Sequence, residues 1–250
     1  MPIKRKSRYE LKLMKHAGEI VALTHQAMKK AIRPGISTKE LDKIAYDVIT
    51  SHRADPTFLG YDGFPATICA SVNEMVVHGI PNDNIILKEG DIISVDIGAT
   101  YNGFVGDSAW TYPVGEISDE KKKLLECTEK ALFAALATVK NGSTLNDVGG
   151  AIEDVAVANN LGIVRQYGGH GVGTNMHEDP FIYNYRVGDK TVLKTGMTIA
   201  IEPMLNLGGD DVVVAEDNWG VFTLDGQPSA HFEHTIAVTD DGYQIMTCLD

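Results

Sequence analysis

Four acidic residues sit between apolar neighbours in short, strand-like segments: Asp96 in SVDIG, Asp107 in FVGDSAW, Glu202 in IAIEPM and Glu233 in HFEHTIAV. A carboxylate taken out of water must be neutralised, or its lost hydration opposes folding. No lysine or arginine lies in any of the four segments. Protonating all four would demand large pKa shifts, so divalent metal is the simpler answer. A summed charge of about −4 balances two divalent ions. The stretch QYGGHGVGTNMHEDP adds one histidine, His170, among glycines. A phosphate-cradling loop would need a Lys-Ser/Thr step, and here Thr174 and Asn175 follow Gly173 instead. The glycines are therefore expected to allow close backbone approach around His170, the one nitrogen ligand. An oxygen-rich set with a single imidazole suits Mn, Fe or Co, and Zn less obviously.

Two such metals, about 3.5–4 Å apart, can share a water and yield hydroxide near neutral pH, which is a hydrolase's nucleophile. Glu202 or Glu233 could take and return its proton. His78, in VVHGIP, and His177, in NMHEDP, are each compatible with a structural role. As a pair flanking the metals they could polarise a carbonyl or stabilise an oxyanion. Of the histidines beside Glu233, His234 is expected behind the ligands and His231 on the surface. Other hydrolytic signatures, G-x-S-x-G and H-E-x-x-H, are absent. Cys69 has no base assigned to it and reads as a buried thiol.

These residues need elements to hold them. Apolar spacing predicts a helix from Ser7 to Ile32, and one through STKELDKIAYDVITSH capped by Ser37 or Thr38 with Glu40 in its first turn. A β-hairpin is expected around Asn102-Gly103. A second helix pair follows, Ser118 to Lys140 and Thr144 to Asn160, and the last third is strand-rich. The order of two helices then strands thus occurs twice. PGISTKELDKIAYDVI overlies NGSTLNDVGGAIEDVA, and EGDIISVD overlies TGMTIAIE. Gly35 then meets Gly142, Gly90 meets Gly196 and Asp96 meets Glu202, an offset of 106 or 107 residues. The expectation is one α/β domain over residues 1–250, with an internal repeat of about 8–115 and 118–250. The site would lie where the copies meet, with acids from each.

Composition narrows the setting. Of 250 residues, 44% are hydrophobic and 22% charged, which fits a soluble globular protein. A net charge of −12 argues against an electrostatic grip on DNA or on an anionic membrane. The three scattered cysteines, Cys69, Cys127 and Cys248, suit a reducing compartment. No signal peptide or long apolar run is present, so a cytoplasmic location is expected.

In order and spacing, NEMVVHGIP, SVDIG, NGFVGDSA, YGGHGVG, HEDP, MTIAIEPM and FEHTIAV resemble a type I methionine aminopeptidase over nearly the whole chain. Several of these segments occur in looser form in prolidases and aminopeptidase P. The resemblance implies the pita-bread fold, a pseudo-twofold α/β arrangement of duplicated helix-helix-strand halves around a curved antiparallel sheet. It implies that Asp96 chelates one metal, Asp107 and Glu233 bridge both, and His170 and Glu202 complete the second. His78 and His177 would contact substrate, with His177 near the scissile carbonyl. A methionine pocket would form from Phe58, Tyr61, Phe64, Cys69, Met176 and Trp219. Backbone around Asn73, Met75 and Ser229 would bind a monovalent cation, Na or K. The implied activity is removal of the initiator methionine from nascent chains, in transient contact with the ribosome, by a monomer. Cleavage would be favoured where the second residue is small. The implied form is the short, bacterial type, without the long helical insertion of type II enzymes, since few residues separate His170 from Glu202. The alternatives are an Xaa-Pro peptidase of the same fold, or a relative that binds without catalysis. The first would carry an added N-terminal domain, and the second would have lost ligands.

Overall fold

The computed structural model describes residues 3–249. Two helices open the chain, α1 (Arg8–Ala31) and α2 (Thr38–Ser51). Each starts in a capping box: Ser7 with Glu10, and Ser37 with Glu40. Reciprocal side-chain bonds of this kind satisfy amide groups that the first helical turn leaves free. Strands β1 (Asp55–Pro56), β2 (Ile68–Val72), β3 (Met75–Val77), β4 (Ile92–Tyr101) and β5 (Phe104–Pro113) follow. β4 and β5 form the expected hairpin, turning at Asn102 and Gly103, both in the left-handed region. The second helix pair is α3 (Asp119–Thr138) and α4 (Leu145–Ala158), with Ser118 and Thr144 as caps. Short strands complete the chain: β6 (Gly162–Ile163), β7 (Gly169–Gly171), β8 (Glu178–Ile182), β9 (Thr198–Ile201), β10 (Met204–Asn206), β11 (Val212–Val214), β12 (Val221–Thr223), β13 (Ser229–His231), β14 (His234–Val238) and β15 (Tyr243–Ile245).

All strand pairings are antiparallel. β4 lies between β2 and β5, while β9 lies between β7 and β14. The apolar faces of α1 and α2 pack on β2 and β4 through Ile20, Met28, Leu41, Ile68 and Ile93. Those of α3 and α4 pack on β9 and β14 through Leu124, Leu132, Ile152, Ile199 and Ile236. Matched details recur at the sequence offset noted above. Isolated bridges join Ser37 to Ile86 and Thr144 to Val192. Gly35 donates to the Leu87 carbonyl at 2.8 Å and Gly142 to that of Leu193 at 2.9 Å. We propose that these are two copies of one helix–helix–strand unit within a single domain.

Hydroxyl groups fasten the two units. The Ser108 hydroxyl donates to the Glu233 carbonyl at 2.6 Å, and the Glu233 amide donates to the Ala109 carbonyl at 2.8 Å. The Thr235 hydroxyl donates to the Asp107 carbonyl at 2.8 Å and accepts from the Asp107 amide at 3.1 Å. Thr111 makes the same pair of hydrogen bonds to His231, at 2.9 Å each way. β5 is thereby held along the segment 231–235, and Asp107 is fixed beside Glu233. Among the described residues, no helix is long and apolar enough to cross a membrane.

His25 braces this seam from behind. Its Nε2 lies 2.9 Å from the Ser108 carbonyl and its Nδ1 2.9 Å from the Tyr112 hydroxyl. Burial pushes its pKa from 6.5 down to about 4. A depressed histidine pKa favours the folded state fully above the unfolded value, and that advantage is lost as pH falls from 6.5 through about 4. Replacing His25 with Gln keeps a donor for Ser108 but removes the titration. We expect the variant's unfolding free energy, from urea titrations at pH 7 and 4.5, to fall less on acidification than the wild type's by about 2–3 kcal/mol. Equal acid sensitivity would contradict the role given to this buried neutral imidazole.

Candidate metal and substrate site

Asp96 and Asp107 project from the hairpin β4–β5; Asp96 lies opposite Ala109 and Asp107 opposite Gly98. Glu202 follows β9 directly, and Glu233 occupies the break between β13 and β14. The two glutamates are thus at strand interruptions, not within strands as their apolar neighbours suggested. An interruption frees a residue from ladder geometry and lets its side chain reach the shared centre. His170 is the middle residue of β7, paired with Ala200 on β9 and Phe181 on β8. The glycines around it permit that pairing. A Cβ at Gly169 would collide with the Ala200 carbonyl, and one at Gly171 with the Asp179 carbonyl. Close backbone approach is what these glycines provide.

The five side chains converge. His170 Nε2 lies 3.5 Å from Asp107 Oδ2 and 3.6 Å from Glu202 Oε1. Its Nδ1 faces the Gly171 carbonyl at 2.9 Å, which fixes the ring and leaves Nε2 toward the acids. Asp107, His170 and Glu233 each offer an atom within 4.8 Å of the others'. Asp107 and Glu233 are 2% and 1% exposed, too buried for water to disperse their charge. Burial pushes the Asp96 carboxyl well above the usual range, and Asp107 and Glu202 push it further. Glu233 is raised by the same causes, with Asp107 the strongest charged neighbour. Burial opposes charging of His170, but Asp107 and Glu202 outweigh it and raise its pKa.

Whether this set suits metal is answered by its unused atoms. Asp96 Oδ1, Asp107 Oδ1 and Glu233 Oε1 are buried without a hydrogen-bond partner. Buried polar atoms of native proteins are almost always paired. Three orphaned carboxylate oxygens in one cluster, with the His170 imidazole 3.5 Å from Asp107, fit divalent cations. They do not fit a purely structural network.

Beside the acids lies a cavity of about 230 Å³. The six residues expected of a methionine pocket, Phe58, Tyr61, Phe64, Cys69, Met176 and Trp219, all line it. Phe64 and Trp219 meet edge to face, with ring centroids 5.1 Å apart. Burial raises the Cys69 thiol well above its usual pKa, and Asp96 adds to this, so it stays a neutral, soft wall. Asp62 also lines this cavity, which sequence reasoning missed. A second cavity of about 290 Å³ shares His78, Asp96, His170, His177 and Glu202 with the first and adds Tyr167 and Phe181.

His78 and His177 stand at that junction. The His177 ring is 4.4 Å from that of His170, and its Nδ1 is 2.8 Å from the Tyr61 hydroxyl. His78 adopts a left-handed backbone (φ 61°) and meets Tyr167 edge to face at 5.5 Å. Partial loss of hydration lowers the pKa of both, although His177 is the more exposed, and this favours the neutral ring. Asn73 and Ser229 are brought together by a 2.9 Å bond from the Ser229 amide to the Asn73 carbonyl, and Met75 lies on β3 close by in sequence. The Lys121 ammonium donates to Asn73 Oδ1 at 3.0 Å.

Two expectations are reversed. His231 is 1% exposed, not superficial, and its Nε2 lies 3.5 Å from Glu202 Oε2 and 3.9 Å from Glu233 Oε2. His234 turns away: its Nδ1 bonds the Thr247 hydroxyl at 2.8 Å and its ring meets Trp110. Alternation along an extended chain could have shown this, since His231 shares parity with Glu233 and His234 does not.

Comparison with known proteins identifies the family. Residues 12–240 match the model of metallopeptidase family M24. Methionine aminopeptidase 1 of Bacillus subtilis is 54% identical over 239 residues, covering 95% of this chain and 96% of that one. The crystal structure of methionine aminopeptidase from Thermotoga maritima superposes with a TM-score of 0.97 at 43% identity, covering 99% of this chain and 100% of that one. Prolidase from Pyrococcus furiosus shares the fold, with a TM-score of 0.79 at 22% identity over 98% of this chain and 66% of its own. The chain therefore belongs to metallopeptidase family M24, and within it to the type I methionine aminopeptidases.

Proposed function

We propose that the protein removes the initiator methionine from nascent chains whose second residue is small. One observation carries this: an apolar, sulfur- and aromatic-lined cavity opens directly onto a cluster of four carboxylates and an imidazole, of which Asp107, Glu233 and His170 are buried. Two divalent ions would be held there, drawn from Mn, Fe, Co and Zn. Asp96, Asp107, His170, Glu202 and Glu233 would hold them. Bound there, such ions supply Lewis-acid polarisation and the acidification of water.

The chain's own groups do the remaining work. The methionine side chain fills the cavity between Phe58, Phe64, Met176 and Trp219, where aromatic faces and soft sulfur suit a flexible thioether. His177, held at Nδ1 by Tyr61, keeps Nε2 for the scissile carbonyl oxygen. A neutral imidazole can donate there as negative charge develops. Glu202 is 13% exposed at its side chain, against 2% for Asp107 and Glu233, and is the most open to solvent of these three. His231 Nε2 lies 3.5 Å from its other oxygen. The second substrate residue would lie at the junction beside His78 and His177, whose bulk leaves room for a small side chain. Sodium or potassium at the Asn73, Met75 and Ser229 carbonyls would tie the turn before β3 to β13. Three free thiols, two of them buried, accord with work in a reducing cytoplasm on chains leaving the ribosome.

Peptides decide between this activity and that of the Xaa-Pro peptidases sharing the fold. With Mn or Fe supplied anaerobically, Met-Gly-Ser should lose its methionine and Ala-Pro-Ser should remain intact; the opposite preference rejects the assignment. Asp96→Asn should abolish turnover and reduce bound metal measured by elemental analysis. His177→Ala should keep its metal and lose about 10²–10³-fold in kcat, the loss typical of an oxyanion donor. Loss of metal from that variant would make His177 a ligand instead.

A pH dependence follows from the raised acids. Asp96 and Glu233 hold protons more tightly folded than unfolded, so in the metal-free protein their contribution is present at low pH and lost as pH rises through their folded values. Metal displaces those protons. Metal affinity should therefore rise with pH, and calorimetry in buffers of different ionisation enthalpy should show protons released on loading. Binding without proton release would mean that the acids are already ionised.

A further inference from the structure

We propose that Lys6, outside both cavities, is a positioning residue that holds His177 in place through Glu178. This rests on the role given to His177 above. The Lys6 ammonium lies 2.7 Å from Glu178 Oε2, and the two side chains are only 5% and 8% exposed. Glu178 follows His177 directly in sequence and begins β8. Its other oxygen, Oε1, accepts the Thr174 amide at 3.0 Å and the Asn175 amide at 3.3 Å. One carboxylate thus closes the loop 174–178 on itself and anchors it to the N-terminal arm. A further bond, from the Val105 amide to the Gly173 carbonyl at 2.8 Å, ties the loop to the hairpin bearing Asp107.

Lys6 is itself held at both ends. Its amide donates to the Gly196 carbonyl at 2.6 Å, and the next residue, Ser7, caps α1. The lysine stem crosses Gly173, where a Cβ would meet Lys6 Cε and Nζ. The last glycine of the QYGGHGVG run therefore has a use separate from His170: it makes room for this lysine. Glu178 pairs with Lys6 and not with the metal centre, so a buried carboxylate next to His177 adds no uncompensated charge. Without the ammonium, Glu178 would seek water or a proton, and the loop carrying His177 would shift with it.

A displacement of about 1 Å at a catalytic group costs on the order of 10²-fold in rate. Lys6→Met keeps the stem over Gly173 and removes the charge. Assayed on Met-Gly-Ser with metal supplied, it should lower kcat about 10–100-fold. KM and bound metal should stay near wild type, and Lys6→Arg should recover most of the loss. Combining Lys6→Met with His177→Ala should cost no more than His177→Ala alone. Glu178→Gln supplies the same comparison should the Lys6→Met protein not fold. Wild-type kcat in both single variants, or losses that multiply with that of His177→Ala, would overturn the proposal. A wild-type enzyme that releases no methionine would instead count against the assigned activity.

Discussion

The arrangement depends on acidic groups that the protein places largely out of water with no lysine or arginine beside them. Asp107 and Glu233 are almost fully buried, and three carboxylate oxygens in the cluster have no protein partner. Among the described residues no lysine or arginine ion pair reaches Asp96, Asp107, Glu202 or Glu233. Coulomb repulsion between carboxylates at such spacing is large in a poorly solvated interior. The fold tolerates it because the cluster is built to be completed by cations. The raised acids show the cost of the incomplete state.

Holding four acids together requires a rigid frame, and the frame comes from the seam. Ser108, Thr111 and Thr235 use hydroxyls to bond backbone across from β5 to the segment 231–235. These bonds set Asp107 from one half against Glu233 from the other. Separate apolar cores lie behind each half. Between them, a smaller apolar cluster of Met14, Phe58, Phe64, Cys69, Val172 and Met176 supports the cavity wall. Residues from both halves therefore shape the site, and neither half contains it alone.

Much of this is legible in the sequence. Helix limits follow from capping residues and apolar spacing, and the hairpin from Asn102-Gly103. The acids announce themselves by lying in apolar segments without basic neighbours. What is not legible is set by contacts distant in sequence. His231 reads as superficial because its environment is supplied by Glu202 and Thr111, far along the chain. Glu202 and Glu233 read as strand residues because the apolar pattern continues through them, while tertiary packing interrupts the ladder there. Lys6 reads as one of several basic residues near the start; only its partner, Glu178, reveals that it is buried.

Anomalous diffraction from crystals soaked in manganese tests the central claim most directly. The account predicts two manganese peaks inside the cluster, both in contact with Asp107 and Glu233, with His170 on only one. A cluster that stays empty at saturating manganese, or manganese confined to surface acids, would contradict it.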